Sequence, residues 1–203
     1  MSGENPYSFA GSPIGNLDLW KTISDIQINP NGTQIIFSDF STNKIRKIDF
    51  STGLCFHPIS FHTKIKNSKN KIYKDSISTI AGDQNGNFLS GSFFGPSSIA
   101  IDWINSPEII YVTDFYNSCI IKINQTSSLV SHFAGNFSIL GYLSSGYKDG
   151  PLLSAFFNHP NSIRYLSSSS GTKLLIADQW NCVIRMIDIS LGIFFLPENK
   201  LTK

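Results

Sequence analysis

Apolar and polar residues alternate along this chain in short runs, and the runs recur in a fixed order. Phe37-Ser-Asp-Phe-Ser-Thr-Asn-Lys-Ile-Arg-Lys-Ile-Asp-Phe50 returns as Tyr111-Val-Thr-Asp-Phe-Tyr-Asn-Ser-Cys-Ile-Ile-Lys-Ile-Asn124 and again as Ile176-Ala-Asp-Gln-Trp-Asn-Cys-Val-Ile-Arg-Met-Ile-Asp188. Each copy predicts a strand, a tight turn and a second strand, since period-two alternation is the signature of a pleated segment with two unlike faces. Asp39, Asp114 and Asp178 open the turns, and Asp49, Asn124 and Asp188 follow ten positions later. A short apolar strand precedes each copy (Ser24–Ile28, Ser98–Asp102, Ser162–Leu166), two of them introduced by Pro96 and Pro160. A further strand ending in Ala-Gly follows, at Ile77–Gly82 and Leu129–Gly135. The third copy is followed instead by Ile193–Leu196 before Pro197.

One unit is therefore four short strands rich in β-branched and aromatic residues, which is how a propeller blade reads. A supersecondary unit of this kind cannot bury its own faces, so the stack of units decides the fold. The predicted fold class is all-β, with three visible β-propeller blades of four antiparallel strands. They fall at about 22–82, 96–135 and 160–197, with an N-terminal latch strand at about 6–11 and a Lys-rich insertion at about 55–76. The distances from Asp39 to Asp114 and on to Asp178 exceed the ~40–50 residues usual for a blade, so loop insertions fill the excess.

At these residues the sequence resembles the NHL-repeat family. The third unit carries the likeness best, with Asp149-Gly150, Ala155-Phe156, Asn158-His159-Pro160, Ala177-Asp178, Asn181 and Ile184-Arg185 in the family's order. In the second unit Phe94-Gly95-Pro96, Ile99-Ala100, Thr113-Asp114 and Asn117 agree, but Ile121 stands where Arg46 and Arg185 stand; the first unit has lost its Gly-Pro entrance. The resemblance implies a propeller whose ladder-turn face is the binding face. It also implies a range of activities, because the family includes scaffolds, RNA binders and a few enzymes with a metal in the central channel.

Composition narrows these classes. Aromatic residues make up 13% and charged residues 15% of the 203-residue chain, which describes an apolar folded protein. A net charge of +2 does not argue for nucleic acid. No apolar run reaches the length of a membrane span and no signal-like segment opens the sequence, so no membrane partner and a cytoplasmic location are expected. Three separated cysteines, Cys55, Cys119 and Cys182, suit neither a disulfide framework nor zinc. A closed propeller needs about four to eight blades. Three blades therefore predict a homodimer or a part of a longer propeller chain.

The turn Asp residues read as caps, an Asp carboxylate bonding backbone amides two residues on while the following Asn tolerates positive φ. Beside them stand the turn-tip aromatics, giving Phe40, Asn43, Tyr116, Asn117, Trp180 and Asn181 as candidate binding residues. Rings on a shared rim can anchor a peptide or stack on bases. The innermost strands present mainly Ile28, Ile99, Ile101, Ile163 and Leu166, with Asp25, Asp102 and His159 near their ends and Arg164 between. His57, His62, His132 and His159 show no metal-ligand spacing. The expected function is a non-catalytic interaction module, with no catalytic residue, metal or cofactor, taking a protein partner; the alternatives are RNA binding and an enzyme with an axial metal site.

Overall fold

The computed structural model describes residues 22–49, 76–82, 93–136, 145–168 and 171–195. Three antiparallel meanders account for almost all of them. The first is β1 (Ile23–Ile28), β2 (Gln34–Asp39), β3 (Lys44–Asp49) and β4 (Ser76–Ala81), in that order. The second is β5 (Pro96–Asp102), β6 (Ser106–Asp114), β7 (Cys119–Asn124) and β8 (Leu129–Ala134). The third is β10 (Pro160–Ser168), β11 (Gly171–Asp178), β12 (Val183–Asp188) and β13 (Ile193–Phe195), with β9 (Gly150–Pro151) added beyond β13. These are the three expected blades. The latch strand and the Lys-rich insertion lie outside the described residues. The outer strand of the third blade is β13 of this same chain, and β9 pairs with it through Ile193 and Phe194.

Register makes the blades superimposable residue by residue. Ile23, Pro96 and Pro160 pair with Asp39, Asp114 and Asp178, and a bulge follows in each case before Asp25, Ser98 and Ser162 pair with Ser38, Thr113 and Ala177. A bulge inserts one unpaired residue and re-aims the strand, so its recurrence at one site fixes the entry of each innermost strand in the same way.

Two apolar clusters lie between the blades. Ile36, Ile45 and Ala81 of blade 1 meet Ile99, Ile101, Val112 and Ile121 of blade 2; Ala100, Tyr111, Ile120 and Ala134 of blade 2 meet Ile163, Leu174, Ile176 and Ile187 of blade 3. Each fully buried side chain of this size stabilises the stack by about 1.5–3 kcal/mol relative to exposure. The connection into blade 3 adds Ala155 and Phe157 to the second cluster.

That connection, expected as plain loop, is anchored by one cation. Arg185 is fully buried, and its Nη2 donates to the Lys148 carbonyl at 2.7 Å and to Asp149 Oδ1 at 2.6 Å. Its Nη1 donates to Asp178 Oδ2 at 3.0 Å and to the Phe156 carbonyl. Tyr147 and Phe157 flank the guanidinium, their ring centroids 5.3 and 5.0 Å away. A planar fork with several donors suits this role, which an ammonium could not fill.

Candidate functional site

The three ladder turns are built alike, but not as the sequence suggests. In each, the residue four positions after the Asp takes the left-handed conformation: Asn43 at φ 56°, Ser118 at φ 49° and Cys182 at φ 56°. The apparent slip of the Asn is therefore a change of role. Asn43 is itself the left-handed residue, as Asn readily is, whereas Asn117 and Asn181 sit one position earlier and donate to Asp114 Oδ2 at 2.7 Å and Asp178 Oδ2 at 2.8 Å.

The Asp residues differ as well. Asp39 accepts from the Thr42 amide at 3.3 Å and the Arg46 Nε at 2.9 Å, a local turn cap of nearly the expected kind. Asp114 and Asp178 instead reach back to the entrance of their own blades, accepting from the Phe94 and Asn158 amides, each at 2.8 Å. All three carboxylates are buried. Asp114 alone lacks a guanidinium, since Ile121 occupies the Arg position, and burial pushes its carboxyl up to about 7 against the hydrogen bonds from Asn117 and Phe94.

Entrance loop and ladder turn share one rim, and there the rings meet. Phe40 lies 5.7 Å from Tyr116 and 6.1 Å from Phe115 across the first blade junction. Tyr116 packs on Phe94 at 4.7 Å and on Phe115 at 5.0 Å. Phe115 touches His159 at 4.8 Å across the second junction, and His159 stacks on Trp180 at 3.7 Å and 19°. The result is one unbroken aromatic track over three blades. Phe40 and Phe115 are half-buried in it, while Trp180 is 61% and Phe94 52% exposed. Of the expected residues, Phe40, Tyr116 and Trp180 belong to the track; Asn43, Asn117 and Asn181 support it from below as turn-building polar groups. Asn181 also donates to the Gly146 carbonyl at 2.8 Å.

Phe94, Phe115 and His159 were missing from the sequence expectation. The signal was present, because Gly95-Pro96 and His159-Pro160 occupy matching places before Asp-paired prolines. His159 takes φ 55°, the left-handed conformation that Gly95 takes at 75°. Its imidazole is held below the usual range by burial, with Asp178 pulling the other way.

A second polar cluster lies on the innermost strands. Asp25 Oδ2 accepts from Ser98 Oγ at 2.6 Å, the Ile99 amide at 3.0 Å and Arg164 Nη1 at 3.0 Å. The guanidinium of Arg164 is largely exposed, its side chain at 57%. This cluster joins three blades and leaves the Asp25 carboxylate committed to protein donors. Among the described residues no three His, Cys, Asp or Glu side chains gather as a metal ion would need, and no helix is long and apolar enough to cross a membrane.

No family model and no curated protein matches the chain. Among solved structures it is similar to an auxiliary nutrient binding protein from Bacteroides thetaiotaomicron VPI-5482, with a TM-score of 0.55 and 22% identity over 79% of this chain and 36% of that one. It is likewise similar to an auxiliary nutrient binding protein from Bacteroides ovatus ATCC 8483, with a TM-score of 0.56 and 18% identity over 79% and 36% of the two chains. The chain thus spans little more than a third of the length of these structures, at 36%. At such identities the likeness speaks for the fold alone, and together with the repeated register it makes this chain a stack of three β-propeller blades.

Proposed function

We propose that this chain is a non-catalytic interaction module of the NHL-repeat type, working in the cytoplasm, and that it binds a protein partner through its aromatic rim. The observation that carries the reading is the continuous track from Phe40 through Tyr116 and Phe94 to His159 and Trp180, with its two largest exposed rings at Phe94 and Trp180. Exposed aromatics on a rigid frame cost little side-chain entropy when a partner covers them, and they dominate interface hot spots. The three turn tips, Phe40–Asn43, Phe115–Ser118 and Gln179–Cys182, carry no charged side chain, which favours a protein surface over a polyanion.

A photo-crosslinking residue placed at Trp180 is the direct test, with the same residue at Leu129 on the far side of blade 2 as reference. A defined protein adduct is expected from position 180 and none from 129. The Phe94→Ala, Trp180→Ala double variant should then bind the recovered partner at least ten-fold more weakly with an unchanged circular dichroism spectrum. Intact binding by that variant overturns the reading. Salt-sensitive binding of a single-stranded RNA oligonucleotide that is lost in the same variant replaces the protein partner with RNA.

A further inference from the structure

Blades 1 and 2 meet through isoleucine where blades 2 and 3 meet through tyrosine. Ile36 and Tyr111 stand three residues before Asp39 and Asp114, and Ile101 and Tyr165 stand five residues after Pro96 and Pro160, so each pair occupies one repeat position. Ile36 and Ile101 are buried together in the apolar cluster of the first junction. At the second junction Tyr111 and Tyr165 bring two hydroxyls to the same place, and a cavity of about 250 Å³ lies beside them. At about 30 Å³ of liquid per water, that is far more than the one or two waters a gap in packing would take. Asp102 and Thr172, at the β5–β6 and β10–β11 turns, set the cavity on the face opposite the aromatic rim.

Two donors in this cavity have no partner. Tyr111 is only 5% exposed, and among the described residues its hydroxyl makes no hydrogen bond. Burial, and then the neighbouring Tyr165, push the Tyr111 phenol up to about 12, so it keeps its proton to donate. A buried hydroxyl left unpaired is costly, and such groups ordinarily find an acceptor. Lys122 is the cross-strand neighbour of Tyr111. The equivalent Lys47 of blade 1 pairs with Asp49 Oδ2 at 3.0 Å. Blade 2 has Asn124 in place of that Asp, and its Oδ1 accepts from the Thr126 and Ser127 amides. Among the described residues the Lys122 ammonium therefore has no ion-pair partner.

The carboxylate in the lining does not fill that role. Asp102 Oδ1 accepts from the Ile104 and Asn105 amides, each at 3.1 Å, and Oδ2 accepts from Asn105 Nδ2 at 2.8 Å, with the Tyr165 hydroxyl bonded to it as well. Burial opposes its ionisation, but these bonds outweigh burial and hold the carboxyl below its ordinary value. Its negative charge stays at the cavity wall, where it disfavours a dianion such as a phosphate monoester.

We infer that the cavity binds a small aliphatic monocarboxylate, whose oxygens accept from the Lys122 ammonium and the Tyr111 hydroxyl and whose alkyl part lies against Ile109 and Ile189. The bound carboxylate stands to Lys122 as Asp49 stands to Lys47. Hydrogen bonds to an ionised acceptor are the strong kind, and one negative charge matches the one unpaired cation. A neutral ligand would leave the ammonium without its counter-charge.

Isothermal titration calorimetry of the whole chain tests this with sodium butyrate and sodium hexanoate, and with butan-1-ol, butylammonium chloride and sodium sulfate for comparison. Saturable binding of at least one of the two carboxylates, and of none of the comparison compounds, is expected. Lys122→Met introduces the side chain that blade 3 carries at the equivalent Met186, and Tyr111→Phe removes one oxygen. Each should weaken binding at least about ten-fold with an unchanged circular dichroism spectrum. The Phe94→Ala, Trp180→Ala double variant, altered on the opposite face, should bind as wild type does. Absence of saturable binding for both carboxylates, equal binding of sulfate or butylammonium, or full affinity in either cavity variant overturns the inference. Loss of binding in the rim variant overturns it too, by moving the alkyl chain to the aromatic track.

Discussion

Asn43 Oδ1 accepts a hydrogen bond from the Gly95 amide at 2.8 Å, across 52 residues of sequence and from one blade to the next. The bond places a left-handed turn residue under a left-handed entrance residue, and the rings of Phe40 and Tyr116 close over both. A Cβ on Gly95 would lie 2.7 Å from Tyr116 Cδ2 and 3.0 Å from the Phe40 ring, at φ +75°. Gly95→Ala should therefore destabilise the fold by about 1–3 kcal/mol, combining backbone strain with displaced rings. Thermal melts should show a fall of several degrees. An unchanged melt would mean that the rings move aside freely and the rim is softer than a binding platform needs to be.

The missing guanidinium at Asp114 gives stability a defined pH dependence. Burial raises this carboxyl from its ordinary 3.8 to about 7, so the folded chain holds a proton that the unfolded chain releases. The contribution is fully present below the unfolded value and is lost as pH rises through about 7. Wild type should melt at a progressively lower temperature from pH 4 to pH 8, and Asp114→Asn should flatten that trend by several degrees. Parallel slopes in the two proteins would assign the dependence to other groups.

Ile121→Arg rebuilds what blades 1 and 3 already have. Arg46 and Arg185 pair with Phe37 and Ile176 on the neighbouring strand, and Ile121 pairs with Val112 at the same register. A guanidinium there would favour the ionised Asp114, remove its titration near neutrality and abolish the slope. The cost is an isoleucine lost from the cluster between blades 1 and 2, about 1–3 kcal/mol. The expected signature is thus lower stability at pH 5 with a flat profile up to pH 8. A profile as steep as wild type would show that the new side chain does not reach Asp114.

Much of this architecture is legible in the sequence because β structure writes its register in the chain. Three Asp residues, each ten positions ahead of an Asp or Asn, suffice to align twelve strands, and the alignment survives in the pairing of Asp39, Asp114 and Asp178 with Ile23, Pro96 and Pro160. The rings at Phe40, Tyr116 and Trp180 could be named for the same reason. What stayed hidden depends on contacts between blades. The reach of Asp114 and Asp178 to the Phe94 and Asn158 amides, the gathering of Asp25, Ser98 and Arg164, and the anchoring of residues 147–157 on Arg185 all join positions whose sequence separations carry no local pattern. Turn chemistry misled in one respect, since the Asn of blades 2 and 3 serves as a donor to its Asp while Ser118 and Cys182 take the left-handed conformation that Asn was expected to take.

Arg185→Met tests the anchor. It leaves the Asp178 carboxylate buried beside the Asn158 amide and Asn181 without its cation, and removes the donors that hold Lys148, Asp149 and Phe156. Removing one partner of a buried pair costs about 3–5 kcal/mol. Limited proteolysis should cut first within residues 145–158, ahead of any cut in the blades. Protection of that segment equal to wild type would show that Phe157 and Ala155 alone hold it.

The two described cysteines should differ sharply in reactivity. Cys119 is fully buried and its thiol is pushed well above the usual range, first by burial and then by Asp114. Cys182 is exposed, in the ladder turn of blade 3. In a Cys55→Ser background, a maleimide should label Cys182 within minutes in dilute protein and reach Cys119 only on unfolding, because the thiolate is the reacting species and needs access. The Cys182 rate should match that of a small thiol at the same pH, and the Cys119 rate should track global unfolding as denaturant is added. Equally fast labelling of Cys119 in native protein would mean that the junction between blades 1 and 2, where this thiol is buried, opens freely.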